Sequence, residues 1–386
     1  MTSGKNNEEQ VLDLLQLAHG KILPSYSSAY SLRCTRYISG IQNRILMSVG
    51  GLVFRDRVEN QNEQYHSLFL SAISFFKSGR MFEINLSNGR YLRRKYSRLV
   101  SRRIKQTEIV IFEGPWQFKL FKEHLDGKIV VYDAHNVETN LRKTDAWEEF
   151  TRKLEGELIE RADLIITVTE EDSNEFSRIF GVSEDKLLCV PEGFVPTDKK
   201  WRGFDTNNLV FIGSAYLPNI RAAERILDYA PSLPEFSFEI IGSVCDALKR
   251  KQIPKNVKLL GLVSEEEKED VLRNALFGIN PVEIGSGRNL KMNDYISHGV
   301  PILTTEVGSR GFEPEIKELF YIFSAENFPE VIRSLIIDRT NLYEISNKMI
   351  EYSKENSYEQ TKEKAFKAIE NLLSVHRQRK AAKREE

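Results

Sequence analysis

Residues 276–305 read "LFGINPVEIGSGRNLKMNDYISHGVPILTT". An apolar run, "LFGINPV" (276–282), meets a glycine-containing turn, then a helical segment that stops at "HGVP", then a second apolar run, "PILTTEV" (301–307). Strand, turn, helix and strand in that order form a βαβ unit, which requires a parallel sheet and a right-handed crossover. The apolar runs do not alternate with polar residues. Such continuity suits strands covered on both faces.

The rhythm extends outward from this unit. Upstream lie "NLVFIG" (208–213), "FSFEIIG" (236–242) and "VKLLGLV" (257–263). Further back come "EIVIF" (108–112), "KIVVYDA" (128–134), "DLIITVT" (163–169) and "KLLCVP" (186–191). Helices are expected between them, as over 219–230. The helix over 264–275 opens on Ser264 with Glu267 three residues later, a capping box. "PEGFVPTDKKWRGFDTNN" (191–208) interrupts the pattern with Pro, Gly and polar residues and reads as a linker. The segment 339–373 has helical character, and the basic tail "HRQRKAAKREE" is expected to fray. In the first hundred residues only "ILMSVGGLVF" (45–54) reads as a strand.

With 386 residues the chain is too long for one ordinary core, and two domains are expected. Its 41% hydrophobic and 29% charged content is that of a globular protein. Three widely spaced cysteines (Cys34, Cys189 and Cys245) argue against a disulfide framework or a zinc site and for a reducing compartment. No apolar run reaches the roughly 18–20 residues that span a bilayer. The polar "MTSGKNNEEQ" start does not resemble a secretory signal, so a cytoplasmic location is expected.

The turn within the opening stretch carries the first chemistry. A strand, a glycine turn and a helix start direct backbone N–H groups and the positive end of a helix dipole at one point, which favours phosphate. Gly285 and Gly287 permit close approach of the backbone, and Arg288 and Lys291 offer charge-assisted contacts. Asp294 stands one helical turn beyond Lys291, where a carboxylate can accept hydrogen bonds from the two hydroxyls of a ribose. In open α/β sheets ligands sit off the carboxyl ends of the strands, where this turn falls. The bland alternative is an ordinary βα turn with solvated charges.

Residues 285–312, "GSGRNLKMNDYISHGVPILTTEVGSRGF", resemble the donor-binding segment of GT-B glycosyltransferases of the family 4 (group 1) type. "VYDAHNVE" (131–138), "RADLIITVTEED" (161–172), "VPEGF" (190–194) and "VFIGSAYLPNIRAAERIL" (210–227) resemble other segments of that family, in the same order. The resemblance implies two Rossmann-like domains facing a cleft. An acceptor-binding domain would span 1–195, a linker 196–207 and a nucleotide-sugar-binding domain 208–345. A terminal helix over 346–386 would return toward the first domain. It further implies a diphosphate held by Arg288 and Lys291 and a ribose held by Asp294. Gly213, Ser214, Gly285, Ser286, Gly287, Asn289, Ser309 and Arg310 would supply further donor contacts. No metal and no cofactor are implied, only a UDP-, GDP- or dTDP-sugar as co-substrate. Two departures stand out: Asp294 replaces the family's glutamate, and "GSAYLPNIR" lacks the Arg-x4-Lys pair common after the first strand.

In the first half, Asp133, His135 and Glu138 project from the end of "VYDAHNVE". His135 would contact a sugar hydroxyl, with Asp133 fixing its tautomer, or else bond a nearby carbonyl as a structural histidine. Glu113 in "IFEGPW" (111–116) is a base, an acceptor ligand or a plain loop acid, and Trp116 a platform for a sugar ring. Asn136, with Ser25, Tyr26 and Arg33 from "PSYSSAYSLR" (24–33), is placed on the acceptor by resemblance. "GRYLRRKYSRLVSRR" (89–103) holds seven basic residues and no acid. Its Leu92, Tyr96, Leu99 and Val100 share one helical face, which either meets an anionic membrane or packs on the first domain. No nucleic-acid module accompanies it.

The expected protein is thus a glycosyltransferase using a nucleotide-sugar and a glycan or lipid-linked acceptor in cell-surface polysaccharide or glycoconjugate synthesis. It would be retaining, metal-independent, cytoplasmic and peripheral on the inner face of the membrane. The two departures keep open a non-catalytic GT-B partner protein, and the fold also admits a nucleotide-sugar 2-epimerase.

Overall fold

The computed structural model describes residues 13–20, 22–23, 29–36, 43–50, 56–66, 82–87, 94–142, 147–284, 287–324 and 326–385. Two compact units divide the chain, one of residues 1–190 and 362–386, the other of residues 191–361.

The described strands of the first unit are β1 (Asp13–His19), β2 (Asn43–Gly50), β3 (Arg57–Glu59), β4 (Asn62–His66), β5 (Ile109–Phe112), β6 (Ile129–Ala134), β7 (Leu164–Thr167) and β8 (Leu187–Cys189). They form one sheet in the order β3-β4-β2-β1-β5-β6-β7-β8, parallel throughout except for the β3–β4 pair. The strands β5, β6 and β7 are buried along their whole length, as their continuous apolar sequence requires. One face of the sheet packs on the long helix Tyr358–Glu385, whose Ala365, Ile369 and Leu373 meet Leu14, Ile109, Ile111, Ile129 and Val131. The basic tail expected to fray is therefore part of a helix that runs to Glu385. Arg377 within it pairs with Glu108.

In the second unit the strands are β9 (Asn208–Ile212), β10 (Ser237–Ile241), β11 (Val257–Gly261), β12 (Phe277–Asn280), β13 (Ile302–Thr304) and β14 (Phe320–Ile322). Their order, β11-β10-β9-β12-β13-β14, is that of a dinucleotide-fold sheet, with all neighbours parallel. The order reverses between β9 and β12. There only two residue pairs are in register, Phe277 with Leu209 and Gly278 with Val210. Beyond them the strands part, and the Tyr295 hydroxyl from helix Leu290–Ser297 enters the gap. It accepts from Ile212 N–H and lies 3.2 Å from the carbonyls of Val210 and Ile279. Gly278 makes room for the ring, since a Cβ there would stand 2.6 Å from Tyr295.

The capping box on helix Glu265–Asn274 is present, with Glu267 N–H donating to Ser264 Oγ at 3.2 Å and Ser264 N–H to Glu267 at 2.8 Å. The segment expected to be helical over 339–373 is two helices, Leu342–Glu355 and the helix beginning at Tyr358. The apolar face of the basic stretch is turned inward: in helix Arg94–Gln106, Tyr96, Val100 and Ile104 are buried in the first unit's core. Leu92, expected on that face, lies outside the described residues.

Candidate functional site

Both sheets place polar side chains at the carboxyl ends of their strands, where the strand order turns back. In the second unit that place is the gap between β9 and β12. Lys291, on the first turn of helix Leu290–Ser297, is buried there with its Nζ donating to Asn219 Oδ1 (2.7 Å) and Asn280 Oδ1 (3.2 Å). The ammonium also lies 4.7 Å from the centre of the Phe211 ring. Burial pulls its pKa down to about 7. Asn280 ends β12 and ties the gap to the loop after β13, reaching Thr304 Oγ1 at 3.4 Å and the Gly308 carbonyl at 3.2 Å. Gly308 fits only without a side chain: a Cβ would stand 2.3 Å from Thr304 Oγ1 and 2.6 Å from Asn280 Nδ2.

The other residues expected on a donor divide into two sets. Gly213 and Ser214 follow β9, and Gly287 (φ 68°) and Asn289 precede the Lys291 helix, all at the mouth of the gap. Gly285 and Ser286 lie outside the described residues. Gly213 is pinned by N–H donation to Ile241 O (2.9 Å) and by Gly242, whose φ of 105° brings the next loop against its carbonyl. Ser214 Oγ accepts from Asn219 Nδ2 at 3.2 Å, and Asn289 Nδ2 donates to Gly308 O at 3.4 Å. The second set is engaged by other neighbours. The guanidinium of Arg288 lies over the Phe312 ring at 4.0 Å, near Phe194 at 5.1 Å and 3.8 Å from Glu313. Asp294 pairs with Lys268 at 3.2 Å. Ser309 is buried, its hydroxyl donating to Glu306 O at 2.9 Å. Arg310 is half-buried, and its backbone N–H donates to Val307 O at 3.4 Å.

In the first unit the corresponding place is at the ends of β1, β5 and β6. Glu113, directly after β5, is buried at the centre of a polar cluster. Its Oε1 accepts from Gln16 Nε2 (2.6 Å), and its Oε2 faces His135 Nε2 (2.7 Å) and Cys34 Sγ (3.4 Å). The carboxylate that orients His135 is therefore Glu113, not Asp133 as expected. Asp133 is held instead by Arg33, at 2.6–3.2 Å through Nε and Nη2. That ion pair is fully buried, and Arg33 also donates to Val190 O at 3.2 Å. Arg33, expected on an acceptor, thus fixes β6 to the helix Ala29–Arg36.

Trp116, expected to offer a stacking face, is buried, with the Arg142 guanidinium 4.6 Å above its ring and His19 edge-on at 6.3 Å. Tyr30 stands between His19 and His135, its hydroxyl 2.9 Å from His19 Nδ1. Burial first, then the neighbouring His135 and Arg142, pull the His19 pKa down to about 3, so this imidazole is neutral. Glu138 pairs with Arg142 at 2.8 Å, and burial pushes its pKa up to about 7. Asn136 is half-buried beside His135. Ser25 and Tyr26 lie outside the described residues. The loop 135–139 is anchored by Glu155, a residue the sequence did not single out. Its carboxylate accepts from Glu138 N–H (3.0 Å), Thr139 N–H (2.9 Å), Thr139 Oγ1 (2.6 Å) and the Tyr132 hydroxyl (2.9 Å).

Residues 206–338 match a protein-family model described as "Glycosyl transferases group 1". The second unit carries a group 1 glycosyltransferase domain. Solved structures extend the likeness to the whole fold. Sucrose-phosphate synthase from Thermosynechococcus elongatus aligns with a TM-score of 0.69 and 10% identity, covering 94% of this chain and 100% of its own. HepE from Anabaena, solved with UDP and glucose, aligns with a TM-score of 0.66 and 9% identity, covering 93% and 99%. The N-terminal domain of trehalose-6-phosphate phosphatase from Candida albicans aligns at 0.62 and 12%, covering 97% and 99%. At these identities the likeness shows the GT-B fold alone, and the fold is evidently not tied to one activity. No curated protein matches the chain. Within the glycosyltransferase domain, Asn219, Asn280, Tyr295 and Gly308 escaped the sequence reading. Asn280 alone left a signal there, as the polar end of an otherwise apolar run.

Proposed function

We propose that the chain is a glycosyltransferase that moves a sugar from a nucleoside-diphosphate sugar to a hydroxyl of a glycan or lipid-linked acceptor. The observation that carries this reading is Lys291: an ammonium buried at the parting of β9 and β12, held by two asparagine carbonyl oxygens. A buried cation held, among the described residues, by neutral oxygens is suited to an anion, and the order reversal of an α/β sheet is where nucleotides bind. HepE was solved with UDP-glucose, which agrees with a nucleotide of this class.

The diphosphate leaves as a dianion or trianion, and Lys291 with the helix start behind it neutralises that charge without a metal ion. Arg288 joins it once its guanidinium leaves Glu313. In the first unit, a Glu113 carboxylate on Nε2 selects the His135 tautomer that carries its proton there. Nδ1 is then an acceptor for a sugar hydroxyl. Retention of configuration is the outcome that the resemblance to group 1 glycosyltransferases favours.

We place the protein in the cytoplasm, against the inner face of the membrane. Among the described residues no helix is long and apolar enough to cross a membrane. Arg94, Lys95, Arg98, Arg102 and Lys105 are exposed along one helix whose apolar side is already packed. Contact would be electrostatic, each cation adding on the order of 1 kcal/mol near anionic lipid. Co-sedimentation with anionic vesicles at low salt, lost in high salt, is the expected result.

Thermal-shift measurements with UDP-, GDP- and dTDP-sugars test the donor site, since a ligand of the folded state raises its apparent stability. One nucleotide series should raise Tm, and transfer to a lipid-linked acceptor should follow with that donor. A second reading, a non-catalytic partner protein, is favoured by the pairing of Asp294 with Lys268 and of Arg288 with Glu313. Nucleotide binding without transfer to any acceptor would select it. The absence of a shift with any nucleotide or nucleotide-sugar would count against the transferase reading.

A further inference from the structure

The Cys34, Glu113 and His135 cluster does more than orient an imidazole. Sγ, Oε2 and Nε2 of these residues converge on one point, at mutual distances of 2.7, 3.4 and 4.0 Å. They are the described His, Cys, Asp and Glu side chains whose ligand atoms come together in a group of three, all within 4.8 Å of one another. Ligand atoms on a tetrahedral zinc ion, at bonds of ~2.0–2.3 Å, stand roughly 3.3–3.7 Å apart, a span these distances bracket. We propose that Cys34, Glu113 and His135 form a binding site for a divalent cation of the zinc class, with three protein ligands and a fourth position for water.

Three features of the surroundings support it. The donors are one sulfur, one nitrogen and one carboxylate oxygen, the set that zinc prefers and that magnesium or calcium does not. Thiolate and carboxylate together carry two negative charges, so the occupied site is neutral, as burial of Cys34 and Glu113 demands. The ligands are also held by their own neighbours. Gln16 Nε2 donates to the other oxygen of Glu113, and Arg44 Nε fixes Gln16 through its carbonyl at 2.9 Å. Arg44 Nη2 further holds the Cys34 carbonyl at 2.9 Å. Such outer contacts are what keeps a metal ligand in place. Arg33, next to Cys34 in the chain, has its charge matched by Asp133.

This inference does not rest on the Lys291 donor site, but it replaces the His135 tautomer of the transferase reading: with Nε2 on the ion, the ring proton sits on Nδ1, which then donates rather than accepts. Its test is cobalt(II) substitution of the full chain, read by absorption. Wild-type protein should bind one equivalent and show a thiolate-to-cobalt charge-transfer band with tetrahedral visible bands, and zinc should displace it. Cys34→Ser should abolish the band and weaken zinc binding at least ~100-fold by calorimetry. A chain with Cys189→Ser and Cys245→Ser, in which Cys34 is the remaining cysteine, should keep the band. This second variant decides the source of the sulfur even where Cys34→Ser fails to fold. No charge-transfer band in the wild type, or a band that survives Cys34→Ser, would overturn the proposal.

Discussion

Lys291 is caught between two demands, and the conflict makes it measurable. The fold buries its ammonium, which lowers the pKa from near 10.5 to about 7. Below about pH 7 both folded and unfolded chains hold this proton, so the penalty for burial is fully present. Between about 7 and 10.5 the unfolded chain binds more protons, and this group's contribution to stability rises with pH. A nucleoside diphosphate asks for the opposite, a charged lysine. Nucleotide binding at pH 8–9 should therefore draw in close to one proton, and affinity should fall up to tenfold per pH unit above about 7. Calorimetry in two buffers of different ionisation heat reads that uptake directly. An uptake near zero would mean that Lys291 does not face the diphosphate. Replacing Lys291 by Met should cost roughly 2–3 kcal/mol of nucleotide affinity, some 30–150-fold, as for loss of one charge-assisted contact. The ligand-free Tm should not fall, because a buried cation is exchanged for an apolar chain of similar length. A lower Tm with unchanged affinity would assign the lysine to the fold alone.

At the scale of single elements, Glu155 shows how the His135 loop is built. The short helix Glu138–Leu141 begins without a side-chain cap of its own. Its first N–H groups are satisfied from outside, by a carboxylate on helix Glu148–Arg161 that takes four donors at once. Glu155→Ala leaves those buried donors unpaired and should destabilise the first unit by about 3 kcal/mol in urea denaturation. Glu155→Gln presents an amide N–H₂ to a site built only of donors and should cost about 2 kcal/mol. Losses under 0.5 kcal/mol in both would show the loop to be held by other means. No sequence pattern announces such a group, because Glu155 sits 16 residues from Thr139 on an unremarkable amphipathic helix. The elements that were legible are those whose burial is two-sided: β12 and β5 spell their position in continuous apolar residues. β1 is not legible because Gln16 and His19 interrupt it, and β2 is legible only from Ile45 because Asn43 and Arg44 open it. Gln16, His19 and Arg44 are cluster residues, so the chemistry of the first site hid the strands that carry it. The same proximity in sequence misassigned Asp133 to His135. Arg33, a hundred residues away, had a prior claim on Asp133, and Glu113 from the neighbouring strand took its place.

Across the whole molecule, the chain leaves its first unit at residue 190 and comes back to it at residue 362. That return is needed for burial. One face of the first sheet presents Leu14, Ile109, Ile111, Ile129 and Val131, and the described residues that cover it from the C-terminus are Ala365, Ile369 and Leu373, spaced four apart on one helical stripe. Lys364 adds a hydrogen bond to Cys189 O at 2.9 Å, and Arg377 its pair with Glu108. Burying Ile369 and Leu373 alone contributes roughly 3–6 kcal/mol, before the matching area on the sheet is counted. That is comparable with the total stability of about 5–15 kcal/mol of a typical domain. A chain truncated after Thr361 should therefore lose the first unit and keep the second. Hydrogen exchange separates the two: amides of β5 and β6 should lose protection by at least ~100-fold on truncation, while those of β9 and β12 change little. The milder Leu373→Ala should cost about 2–4 kcal/mol of first-unit stability, as for a buried large-to-small change. If β5 and β6 kept their protection in the truncated chain, the helix would be an appendage and the first sheet's core complete without it.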